Sequence, residues 1–109
     1  MNGEEELIRA TIRGLSRAII LWLLLREGMS GYRLTKEMRR ITGHPYTPGA
    51  IYPLLYELER KRLIIGEWIQ KGRRKLKHYS ITEEGRKVIN NIRGALEKPV
   101  KDLLMDLTE

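Results

Sequence analysis

The apolar residues Ile8, Ile12, Leu15, Ile19 and Trp22 recur at steps of four and three, one stripe along a first helical region from about Glu4 to Glu27. Gly14 interrupts that stripe and marks where the region bends or splits. Gly28, Met29, Ser30 and Gly31 then end it, with Ser30 placed to cap the next helix. Leu34, Met38 and Ile41 give this second helix a narrow apolar face, and Gly43 followed by Pro45 stops it.

A third helix is predicted to start at Thr47, whose hydroxyl caps it while Pro48 takes the first helical position, and to end near Arg62. At 100° per residue, Ile51, Leu54, Leu55 and Leu58 share one arc, the expected buried face. Gly49, Pro53, Tyr56 and Arg60 fall opposite, with Tyr52 on the flank. Both awkward residues, Gly49 and Pro53, are therefore expected to face outward, where water can satisfy the carbonyl that Pro53 leaves without a donor.

The pattern then changes. "LIIGEWIQ" and "LKHYSIT" are short and rich in β-branched and aromatic residues, and the basic "KGRRK" between them reads as the turn of a β-hairpin whose type Gly72 alone leaves open. Thr82 caps a last helix with Glu83 and Glu84 in its first turn. Ile89, Ile92, Leu96, Pro99 and Leu103 continue at steps of three and four, a seam that suits a helix partner. Pro99 is predicted to kink or divide this helix.

Three helices followed by a hairpin is the order of a winged helix-turn-helix. The expected fold class is mainly α with a small β-hairpin. Residues 1–82 are expected to form the winged helix-turn-helix domain with an N-terminal helical extension, and residues 83–109 a C-terminal dimerisation helix, kinked near Pro99.

Composition adds the partner. The chain is 41% hydrophobic and 32% charged without a low-complexity tract, the make-up of a folded chain, and 109 residues leave room for one domain. The net charge of +7 points to a polyanion, and from Lys61 to Lys87 nine Lys and Arg stand against three Glu, so +6 of it is local. Lys71, Arg73, Arg74, Lys75 and Lys77 crowd the hairpin tip, where they can follow a phosphate backbone. The other reading of this tip is a solvated loop whose charges serve solubility. Tyr52 and Tyr56 can each donate a hydroxyl to phosphate or lay a ring on sugar and base; for them the other reading is partial burial against the wing.

Other function classes have little to stand on. There is no cysteine, so no disulfide, thiol nucleophile or thiolate metal site. His44 and His78 are too few and too far apart for a metal site, and Ser16, Ser30 and Ser80 lack a recognisable His and acid. No catalytic residue, metal or cofactor is expected. The longest uncharged apolar run, Ala18 to Leu25, falls short of a membrane span, and the N-terminus opens acidic, unlike a signal peptide. The expected location is cytoplasmic, with no membrane partner.

"GYRLTKEM" (31–38), "TPGAIYPLLYELERKRLI" (47–64) and "GRRKLKHYSITEEGRKVI" (72–89) resemble, in order and spacing, the three signature blocks of the PadR family of transcriptional regulators. The resemblance implies a homodimeric repressor of double-stranded DNA with a palindromic operator. It implies DNA contact from Tyr32, from Thr47, Pro48, Gly49, Tyr52 and Tyr56, and from the wing; Arg60 and the basic residues Lys71, Arg73, Arg74, Lys75 and Lys77 complete the expected set. It also implies a dimer interface from the last helix together with the first, here Ile8, Ile12, Leu15, Ile89, Ile92, Leu96, Leu103 and Leu107. Some members take a small aromatic inducer at that interface, and Trp22 is the residue here that could line such a pocket, against core packing as its other role. With one helix after the wing, the chain resembles the short subfamily. It departs from the family at Ala50, where many members have Thr, and at Pro99. An architectural or low-specificity DNA-binding protein is the alternative function, because Gly and Pro on the outward face carry no hydrogen-bonding code.

Overall fold

The computed structural model describes residues 2–106. Its elements run α1 (Gly3–Gly14), α2 (Ser16–Arg26), β1 (Met29–Ser30), α3 (Gly31–Thr42), α4 (Pro48–Arg60), β2 (Ile64–Lys71), β3 (Arg74–Ile81) and α5 (Glu83–Asp106). The first helical region is split, as Gly14 suggests, with Leu15 between α1 and α2. Ser30 caps α3 by accepting from the Arg33 amide at 3.1 Å, and Thr47 caps α4 by accepting from the Ala50 amide at 3.3 Å.

Met29 and Ser30, read from sequence as the end of the first helical region and the cap of the next helix, also form a short strand that pairs antiparallel with Tyr79 and His78 of β3. The sheet is therefore three-stranded, in the order β1-β3-β2. Two residues carry no period of their own; the exposed edge of β3 makes this strand. In the hairpin, Lys71 pairs with Arg74, so Gly72 and Arg73 alone form the turn. Gly72 has φ +64° and Arg73 does not share the positive φ, the arrangement of a type II′ turn.

The α4 helix ends at Arg60, two residues before the sequence expectation. Arg62 adopts a left-handed φ of 61°, its amide bonds to Glu59 O, and the Leu63 amide reaches back to Leu58 O. This is a Schellman ending built on an arginine, where glycine is usual. The turn is tied to the start of α5: Thr82 donates its hydroxyl to Arg62 O and accepts from the Gly85 amide. A Cβ on Gly85 would lie 2.1 Å from Leu63 O, so only glycine allows this approach.

Ile20, Leu21, Leu34, Met38, Ile51, Leu55, Ile64 and Ile89 are fully buried and join α2, α3, α4, β2 and α5 in one core. The rest of α5 leaves it. At 24 residues this helix is roughly 36 Å long, yet only Gly85 and Ile89 are buried, and α1 buries nothing. The radius of gyration is accordingly 15.5 Å, against about 13 Å for a compact domain of this size.

Pro99 does not divide α5, which is continuous through it. Its missing donor affects the carbonyl of Ala95, and Ala95 is exposed, where solvent can satisfy that carbonyl. Ile89, expected at the dimer seam, is only 2% exposed and belongs to the core of its own chain, leaving no surface to offer a partner. Leu107, also expected there, lies outside the described residues.

Candidate nucleic-acid interface

Helix α4 buries Ile51, Leu55 and Leu58 and half-buries Leu54, and it turns Gly49, Ala50, Tyr52, Pro53, Tyr56 and Arg60 to the surface. The outward face is the one the wheel predicts. Thr47 and Pro48, also exposed, begin the helix, so the positive end of its dipole and bare backbone at Gly49 lie together. Tyr56 is 69% exposed and Tyr52 44%. Tyr52 leans on α3: a Cβ on Gly31 would lie 2.7 Å from its hydroxyl oxygen. Tyr32, the next residue of α3, is also exposed, with the Lys36 ammonium 5.5 Å from its ring.

The wing stands beside this face. Register places Ile64, Gly66 and Trp68 with their partners Ile81, Tyr79 and Lys77 on the side that holds the buried residues. A groove of about 360 Å³ between α4 and the hairpin is lined by Tyr52, Tyr56, Glu59, Trp68, Lys75, Leu76, Lys77 and Tyr79. At the tip, Lys71, Arg73, Arg74 and Lys75 are exposed and make no ion pair with any described residue. Lys77 differs, because its ammonium lies 2.9 Å from Glu59 Oε1 on α4. That hydrogen bond to Glu59 holds its pKa above the ordinary lysine value, while burial holds the Tyr79 phenol above its own.

A second ion pair braces α4 from behind. Arg17 of α2 places Nε 2.6 Å from Glu57 Oε2 and Nη2 3.0 Å from Oε1. The Arg17 hydrogen bonds lower the Glu57 carboxyl to about 2.

Of the expected dimer residues, Leu15, Ile89, Ile92 and Leu96 come together between α2 and α5. Ile8 and Leu15 are exposed, Ile12, Ile92 and Leu96 half-buried, and Leu103 is 61% exposed. Leu15, Ala18, Ile19, Trp22, Ile89, Ile92, Arg93 and Leu96 line an open depression of about 280 Å³. Trp22 is half-buried in its wall, with the Arg26 guanidinium 5.5 Å from its ring. An open groove of about 990 Å³ continues along α5 through Gly94, Val100 and Leu104. Among the described residues no group of three or more His, Asp or Glu could hold a metal, and no helix is long and apolar enough to cross a membrane.

Residues 20–91 match the Transcriptional regulator PadR-like family. The chain belongs to that family. Its members are transcriptional regulators rather than enzymes. Among curated relatives, Transcriptional regulator Rv3488 of Mycobacterium tuberculosis is 34% identical over 92 residues, covering 84% of this chain and 85% of the relative. Transcriptional regulator YqjI of Escherichia coli is 33% identical over 86 residues, covering 77% of this chain. The chain spans only 40% of the length of YqjI. A PadR family transcriptional regulator from Eggerthella lenta superposes with a TM-score of 0.81 at 28% identity, covering 96% of this chain and 91% of that one. Bacillus subtilis PadR, solved in complex with operator DNA, superposes at 0.62 with 27% identity, covering 69% of this chain and 43% of that one.

Four residues that line the groove between α4 and the hairpin stand outside the expected set: Glu59, Trp68, Leu76 and Tyr79. Trp68 is 69% exposed on the wing. Alternation along Ile64, Gly66 and Trp68 was a usable signal for its face. Its pairing with Lys77 follows only once the turn is known to hold two residues.

Proposed function

We propose that this chain is a cytoplasmic, homodimeric repressor that binds double-stranded DNA at a palindromic operator. The observation that carries the reading is that Tyr52 and Tyr56 of the exposed α4 face line one groove with Lys75 of the hairpin, next to wing-tip cations that make no ion pair with any described residue. In this reading α4 enters the major groove. Gly49 and Pro48 let the backbone come close to phosphate, Thr47, Tyr52 and Tyr56 offer hydroxyls, Tyr32 meets the strand from α3, and Arg60 reaches from the far end. Lys71, Arg73, Arg74 and Lys75 follow the phosphates beside the groove. DNA shape carries much of the specificity.

The unpartnered apolar surface of α1 and α5 supports the dimer. Ile8, Ile12, Leu15, Ile92, Leu96 and Leu103 would meet their copies there, doubling the binding face. The open depression lined by Trp22 is a pocket for a small planar aromatic ligand, which relieves repression by shifting the two DNA-binding faces. Fluorescence titration with phenolic acids and cationic dyes tests this part; quenching of Trp22 is expected, and silence across the panel removes the ligand.

A second reading has one observation in its favour: Gly49, Ala50 and Pro53 on the outward face offer nothing to base edges. That suits an architectural protein of low specificity. Competition at about 150–200 mM salt decides between them, because non-specific binding weakens there. The repressor prefers the duplex upstream of its own reading frame over random duplex. Equal affinity for the two contradicts it.

A further inference from the structure

Lys77 is held on three sides. Its ammonium lies 2.9 Å from Glu59 Oε1, 5.4 Å from the Tyr79 ring centroid and 5.9 Å from that of Trp68. Both charged side chains are only 26% exposed. The stem of Lys77 passes over Gly66: a Cβ there would lie 2.4 Å from Lys77 Cε, 3.0 Å from Tyr79 Cε1 and 3.1 Å from Glu59 Oε2. A missing side chain on β2 thus makes room for a lysine of β3 to reach a carboxylate of α4.

The place of this contact gives it consequence. Toward the tip from the Gly66–Tyr79 pair, the hairpin has no fully buried residue, and a two-stranded ribbon is barely stable alone. The Lys77–Glu59 pair ties the wing to α4 just beyond the last buried side chain.

We propose that Lys77 is a positioning residue, which with Glu59 and the bare backbone of Gly66 latches the wing to helix α4 and makes no phosphate contact of its own. The latch holds the wing cations and the α4 tyrosines in one register for a single duplex. This rests on the DNA-binding reading above. Were Lys77 a phosphate ligand instead, Glu59 would compete with DNA for it, and the two roles give opposite signs at Glu59.

The test compares wild type with K77M, E59Q, G66A, the double variant K77M/E59Q and K75M. Each is titrated over a range of salt with a labelled duplex of about 40 base pairs from upstream of the reading frame, and with random duplex of equal length. K75M removes a tip cation and is expected to lower the salt slope by about 0.9. K77M, E59Q and G66A are each expected to weaken binding about three- to tenfold with an unchanged slope, and the double variant no more than a single one. G66A matters most, because it displaces the latch and alters no charge. A slope lowered by about 0.9 in K77M, tighter binding by E59Q, or affinity untouched by all three overturns the latch.

Amide hydrogen exchange without DNA separates this from the parent reading. Faster exchange over residues 64–81 in K77M, E59Q and G66A, with α2 unchanged, is the latch's signature; unchanged exchange overturns it. If the wild type binds neither duplex, the DNA reading falls and exchange alone decides the latch.

Discussion

Arg17 forks onto Glu57, with Nε 2.6 Å from Oε2 and Nη2 3.0 Å from Oε1, and so ties α2 to the inner flank of α4. The hydrogen bonds from Arg17 lower the Glu57 carboxyl from 4.5 to about 2. A carboxyl depressed on folding stabilises the fold fully above its unfolded value and loses that contribution as pH falls through its folded one. The pair should therefore weaken between about pH 4.5 and about pH 2. In urea titrations across that range, Glu57→Gln should flatten the acid loss of stability relative to wild type. Parallel pH profiles for the two proteins would remove the pair's role.

Gly85 sets how closely α5 approaches the end of α4. With a Cβ 2.1 Å from Leu63 O and 2.7 Å from Ile81 Cγ1, Gly85→Ala must push backbone apart and should cost at least about 2 kcal/mol. Urea unfolding followed by circular dichroism measures it. A loss under about 0.5 kcal/mol would mean that the first turn of α5 relaxes freely.

Arg62 is the opposite case. Its left-handed φ of 61° strains an ordinary residue, and Arg62→Gly keeps the Schellman bonds while relieving that strain. Stability should rise by about 1 kcal/mol, read as a higher urea midpoint at unchanged slope. No rise would show the strain to be matched by a contact of the arginine side chain.

Pro53 lies inside α4 on its outward face, opposite Ile51 and Leu55. Pro53→Ala restores a helix bond to the Gly49 carbonyl and should stabilise by about 1–3 kcal/mol. It should at the same time change affinity for the upstream duplex, because the surface offered to DNA changes. A more stable variant with unchanged binding would make the proline incidental to recognition.

The helices were legible because each announces itself locally: Ser30, Thr47 and Thr82 as caps, the Ile51–Leu55–Leu58 face, and the glycine that splits the first region. The outward set from Thr47 to Arg60 followed from the same arithmetic. What the sequence hid depends on distant partners. Met29 and Ser30 become a strand only beside β3. Ile89 reads as a seam residue by spacing, yet the core claims it, because α5 packs against α2 and its Gly85 meets Leu63 and Ile81 at the hairpin root. Lys77 reads as one more wing cation until Glu59, eighteen residues earlier, is seen to hold it.

DNase footprinting of the DNA upstream of the reading frame tests the central claim most directly. Two protected half-sites of inverted sequence, centred about 10–10.5 base pairs or a multiple apart, are the expected result for a symmetric dimer reading an operator. Continuous protection that spreads with protein concentration, or none below the level that protects random DNA, would contradict it.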